Sequence, residues 1–171
     1  MMYRKCFVLL GSLMMSVAQS TEIPRAYSNV AKLHGIPERI LYSIALAESS
    51  RSIDGVVIPW PWTINVEGEG HYFDSRRKML EFIADQMWQG KRSIDVGALQ
   101  INLRYHHARF PELTEISIPE HNLNVASEIL LEQYFHCDLD WWCAVGRYHS
   151  PNNRARADAY TLRVRKWYDR L

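Results

Sequence analysis

Residues 42–52, YSIALAESSRS, put a carboxylate where an apolar side chain is expected. Ile40, Ile44 and Glu48 follow one another at spacings of four, so on a helix they share one stripe, two members apolar and the third acidic. Two outcomes are open on spacing alone. At the end of a helix, Glu48 can swing its carboxylate into solvent. Held on the stripe, it loses water, and because desolvation penalises the charged form its pKa climbs from the ordinary value of about 4.3. A carboxyl of that kind keeps its proton near neutral pH and can serve as a general acid.

Two further stretches carry chemistry. In SIDVGALQINLRYH, residues 93–106, Gly97 stands where a tight turn is needed, and Leu99 and Ile101 alternate with Gln100 and Asn102. A loop or short extended segment buries the first pair and presents both amides to one side. Asp95, two residues before Gly97, is the candidate for a second carboxylate; the alternative is that it hydrogen-bonds its own loop, as Asp commonly does in turns. In WWCAVGRYHSPNN, residues 141–153, Tyr148 falls late in a helix, just before a loop breaker. The seven histidines offer no metal site: His106 and His107 are adjacent and point about 100° apart on a helix, and no His-Glu-x-x-His occurs. Neither a metal nor another cofactor is expected.

Helices must position these groups. Apolar residues at Ile23, Ala26, Tyr27, Val30 and Leu33 have the helical period, which stops at Gly35. A second helix begins with Pro37 in its first turn and runs to about Glu48. A third is expected between a Ser75 cap and a Gly90 stop, a fourth over residues 122–135, and a fifth after an Asp140 cap. The last, from about Asn153, has an apolar seam of Ala157, Tyr160, Val164, Trp167 and Leu171. Its Arg156, Arg163, Arg165, Lys166 and Arg170 read as a solvated face. Between the second and third helices, VVIPWPWTINVEGEGHYF suggests a hairpin turning at Gly68-Glu69-Gly70. Trp60 and Trp62 within it either cover the core or wall a carbohydrate groove.

The chain of 171 residues is 47% hydrophobic and 23% charged, as a soluble globular protein is, and no internal repeat divides it. Residues 1–20 read as a cleaved secretory signal: Arg4 and Lys5, an apolar run from Cys6 to Val17, then Ala18 and Ser20 two apart. That run is shorter than the roughly 20 apolar residues a bilayer requires, so no stable membrane span is expected after cleavage. Residues 21–171 form one domain in this reading. The whole chain has 20 basic and 19 acidic residues; without Arg4 and Lys5 the balance is 18 to 19, which excludes a global field favouring nucleic acid. Two cysteines then remain, Cys137 and Cys143, and an oxidising compartment predicts a local disulfide between them.

Taken together, ALAESS, GALQIN and GRYHSP resemble three motifs of the soluble lytic transglycosylases, the goose-type-lysozyme-like family, in the family's order. They match its Glu-Ser, Gly-Leu-Met-Gln-Ile-Asn and Tyr-Asn motifs. Ala98 and Leu99 differ from the second, and His149 stands where the third has Asn. The segment PWTINVEGEGHYF resembles the subgroup encoded with conjugative or pilus-type secretion systems.

The resemblance implies a mostly α, lysozyme-like (α+β) domain, with a short β-hairpin insertion between the catalytic helix and the Gly-x-Leu-Gln-Ile-Asn loop. It implies a periplasmic enzyme acting on peptidoglycan glycan strands, with secretion or conjugation apparatus proteins as partners. Glu48 would be the catalytic residue; Ser49, Gln100, Asn102 and Tyr148 would bind substrate or orient the acid. Two other activities fit the same motifs: a hydrolytic muramidase employing Asp95 as second carboxylate, and a non-catalytic wall-binding subunit.

Overall fold

The structure, a computed structural model, describes residues 22–171; the expected signal segment, residues 1–20, lies outside the described residues. Helix α1 (Arg25–His34) ends where Gly35 takes a left-handed conformation, φ 67°, and returns its N–H to the carbonyls of Ala31 and Lys32. Helix α2 (Glu38–Ser49) has Pro37 as its N-cap residue, one position earlier than the sequence suggests, and forms the centre of the molecule. Every side chain from Ile40 to Leu46 is buried, polar Ser43 included, whose hydroxyl donates to the Arg39 carbonyl at 2.6 Å. A helix apolar on all sides requires neighbours on all sides.

Those neighbours come from both ends of the chain. Helix α5 (Pro119–His136) packs on α1 and on α6 (Trp141–His149), and α7 (Arg154–Tyr168) lies along both α6 and α2. The side chains of Asp140 and Asn153 cap α6 and α7 by accepting backbone N–H groups of the first turn. Gly146 lets α6 and α7 approach closely, since a Cβ there would lie 3.0 Å from the Ala157 carbonyl oxygen. Leu41, Ile44, Leu130, Val145 and Val164 belong to one continuous core with Leu99 and Ile101. Each such fully buried aliphatic side chain contributes on the order of 1.5–3 kcal/mol.

Between α2 and α3 (Arg76–Trp88) lie two hairpins where the sequence reading expects one. Strands β1 (Ser50–Ile53) and β2 (Val56–Pro59) pair antiparallel across Asp54 and Gly55, both at positive φ. Strands β3 (Thr63–Val66) and β4 (Glu69–Tyr72) form the second. Its turn falls at Glu67-Gly68, not at Gly68-Glu69-Gly70. A two-residue hairpin loop of this kind needs both central residues at positive φ, and Glu67 (53°) and Gly68 (101°) supply them, which leaves Gly70 inside β4 opposite Asn65. Strands β5 (Ile94–Val96) and β6 (Ile101–Asn102) extend this sheet in the order β4-β3-β5-β6. The chain is thus mostly helical with small antiparallel sheets, an α+β arrangement.

Trp60 and Trp62 sit edge to face at 5.5 Å beside these hairpins, with Trp60 Nε1 donating to the Phe73 carbonyl and Trp62 packed against the core. After β6, a short helix α4 (Leu103–His106) and two 3-10 turns, His107–Arg109 and Leu113–Ser117, lead back to α5. Cys137 and Cys143 are joined as a disulfide across the α5–α6 turn, where Asp138 and Leu139 both have positive φ. Closing so small a loop contributes about 2 kcal/mol by restricting the unfolded chain. No helix among the described residues is long and apolar enough to cross a membrane.

Candidate active site

The last turn of α2 opens into a cavity of about 940 Å³, and Glu48 enters it from the side of the core. Its side chain is only 11% exposed. Burial pushes the carboxyl up to about 7, against a Tyr160 contact and the Arg163 charge that pull it down; Asp95 adds a smaller upward push. Desolvation therefore decides the sign. The apolar stripe carries Glu48 inward, and the solvated alternative does not occur.

Four of the other candidates line this cavity with it: Asp95, Gln100, Asn102 and Tyr148. Strand pairing sets Asp95 directly opposite Asn102, and Asn102 Nδ2 donates to the Asp95 carboxylate at 2.7 Å. Burial raises the Asp95 pKa, and this hydrogen bond holds part of the rise back. Asn102 Oδ1 meanwhile accepts the Arg104 N–H at 2.9 Å as cap of α4. Both ends of that amide are thus committed within the protein. Gln100 lies at φ 45°, and its Nε2 donates to the carbonyls of Gly97 and Thr63. That leaves its Oε1 as the group able to receive a ligand's N–H or O–H.

Two expected roles change. Ser49 does not reach the cavity: it is fully buried, and its hydroxyl lies 2.8 Å from the Ala98 carbonyl and 3.2 Å from that of Ala45. It fastens the end of α2 to the Gly97 loop, because the helix turns position 49 toward the core. Tyr148 donates its phenol proton to the Leu99 carbonyl at 2.7 Å, so that proton serves the loop and not Glu48. Burial first, and the nearby Glu48 and Asp95 carboxylates second, keep this phenol protonated by raising its pKa well above the ordinary value.

The groups that approach Glu48 most closely come from α6 and α7. His149 Nδ1 is 3.8 Å and Arg163 is 4.0 Å from Glu48 Oε1. The His149 ring stacks flat on Tyr160 at 4.4 Å, and the Arg163 guanidinium covers that ring at 4.8 Å. The buried Tyr160 hydroxyl is near enough to Glu48 to lower its pKa, yet it closes no hydrogen bond of ordinary geometry. Burial and the charges of Arg163 and Arg156 lower the His149 pKa, which disfavours the imidazolium and hence an ionic pair with Glu48. Arg156 and Arg163 of α7 are solvent-exposed, as a solvated face predicts, and they also border the cavity.

No family model, curated protein or solved structure matches this chain. The site's chemistry accordingly rests on its own geometry: one proton-holding carboxyl, one hydrogen-bonded carboxylate, neutral phenols, an imidazole and a cationic edge. Replacing Arg163 with Met removes the positive charge facing Glu48 and is expected to raise the Glu48 pKa further. The ¹³C shift of the Glu48 carboxyl, followed through a pH titration, reads this directly. A midpoint that stays in place or falls rejects Arg163 as a determinant.

Proposed function

We propose that the protein is a peptidoglycan lytic transglycosylase with a lysozyme-like domain, exported to the periplasm. The single observation that supports this best is the poorly hydrated Glu48 carboxyl, with its pKa near 7, at the head of a large groove. A half-protonated acid at neutral pH is suited to giving a proton and taking one back. Glu48 would protonate the oxygen joining N-acetylmuramic acid to N-acetylglucosamine. As a carboxylate it would then take the proton of the muramic acid's C6 hydroxyl, which closes on C1 and leaves a 1,6-anhydro end. The attacking oxygen is tethered to the ring, so proximity supplies much of what a second catalytic group would provide.

Gln100 Oε1 would accept from a substrate N-acetyl or hydroxyl group. The Asp95–Asn102 pair would hold the opposite wall, and Ser49 and Tyr148 would fix the loop between them. The resemblance of residues 61–73 to enzymes of conjugative and pilus-type systems supports local wall opening during assembly of an envelope-crossing apparatus.

Asp95 favours a second reading. It shares the cavity, its pKa is raised, and a base on the far side of the scissile bond would activate water and make the enzyme a hydrolytic muramidase. Mass spectrometry of digested murein sacculi separates the two. Anhydro-muropeptides are expected; reducing ends one water heavier would establish hydrolysis, and no release at all would favour a wall-binding subunit.

A further inference from the structure

A second cavity, of about 760 Å³, lies behind the wall that carries Asp95 and Asn102. One stretch of chain, from β5 through β6 into α4, borders both spaces. Asp95, Asn102 and His106 face the Glu48 cavity, while Ile94, Leu103 and His107 face the second. The floor of this back pocket is apolar, with Ile94, Leu103 and Phe110 all buried. Its rim is cationic: Lys91 and Arg92 follow α3, Arg104 belongs to α4, and no carboxylate lines the space. Lys91 is paired with Glu67. Arg92 donates only to the backbone carbonyls of Met87 and Lys91, and Arg104 lies against the Tyr105 ring. Among the described residues neither guanidinium meets a carboxylate.

We propose that this back pocket docks a protein partner through an acidic segment carrying a bulky apolar anchor. The apolar floor lacks the hydrogen-bonding side chains a glycan would require. The free guanidiniums sit on two different elements of the rim, Arg92 just after α3 and Arg104 on α4. A peptide with carboxylates on each side of its anchor answers both, and Arg suits such pairing because its planar fork matches a carboxylate. Occupancy leaves the Glu48 groove open, since the two cavities are on opposite faces of the same wall. The proposal therefore does not depend on the cleavage chemistry.

The test is fluorescence anisotropy with three labelled peptides on the whole described domain: acetyl-Glu-Asp-Leu-Trp-Glu-Asp-amide, the same peptide with Lys at each acidic position, and the same peptide with Ser replacing Leu and Trp. Saturable binding is expected for the first alone, weakened about tenfold or more by the Arg92→Glu, Arg104→Glu double variant and unchanged by Glu48→Gln. The peptide controls keep the test decisive even where the double variant is poorly folded. Equal binding of the first and third peptides, or none by the first at about 1 mM, overturns the proposal. So does binding to vesicles containing anionic phospholipid that competes with the peptide, which would assign the pocket to a lipid headgroup.

Discussion

The Glu48→Gln protein is expected to release soluble muropeptides from sacculi about 10³-fold more slowly than the parent. Positioned general acids contribute roughly 10²–10⁴-fold, and under the proposed chemistry Glu48 acts twice, once as acid and once as base. Glutamine keeps the shape and the packing on the α2 stripe, and its amide cannot pass a proton on. Retention of even a tenth of the parental rate would remove Glu48 from the mechanism.

The same substitution carries an opposite expectation for stability. Burial raises this carboxyl from 4.5 to about 7, so the folded state holds the proton more tightly than the unfolded chain does. The resulting penalty is absent below pH 4.5, grows as pH rises, and is complete above about 7. Glutamine avoids it. At about 1.4 kcal/mol per pKa unit, the variant should gain on the order of 3 kcal/mol at alkaline pH and little in acid. Melting curves near pH 5 and pH 8 measure this. An equal gain at both would mean that something other than proton linkage is responsible. An acid that costs stability where it is charged, and whose loss abolishes turnover, is what a group retained for chemistry should look like.

What the sequence disclosed and what it hid divide along a physical line. The place of Glu48 on the stripe of Ile40 and Ile44 was legible because a spacing of four on a helix is a local fact, but that spacing left its solvation open, and its assignment as the acid came from the three motifs together. The alternation around Gly97 foretold that Leu99 and Ile101 would be buried and Gln100 and Asn102 turned aside. The β1–β2 hairpin was hidden although Asp54-Gly55 is a strong turn signal, because β1, Ser50–Ile53, contains a single apolar residue and so carries no strand pattern. Tyr160 and Arg163 were invisible as site residues for a different reason. Their position against Glu48 depends on α7 lying along α2, a contact between segments more than a hundred residues apart that no local period encodes. Ser49 was assigned to the groove by the resemblance of ALAESS to a Glu-Ser motif, yet helical geometry turns the residue after Glu48 to a different face.

Gly97→Ala should be among the most destabilising single changes in the molecule. Gly97 has φ 89°, where an L side chain is strained, and a Cβ built there would fall 2.4–2.6 Å from the side-chain atoms of Asn122. Asn122 cannot retreat. It is 1% exposed, its Oδ1 accepts the Leu99 N–H, and its Nδ2 donates to the carbonyls of Val96 and Ile116. Displacing it strands buried backbone groups at about 1–3 kcal/mol each, to which the backbone strain adds about 1–2 kcal/mol. A total loss of at least about 4 kcal/mol is expected, a large share of the roughly 5–15 kcal/mol that holds a domain together. Urea unfolding at constant slope measures it. Asn122→Ala should cost a similar amount, and the two changes combined should cost clearly less than their sum, because alanine at 122 removes the atoms the new Cβ strikes and both changes dismantle one network. Strict additivity would show that Gly97 and Asn122 act separately, and would leave the Gln100 loop held mainly by Ser49 and Tyr148, whose bonds to Ala98 and Leu99 grip the same turn from α2 and α6.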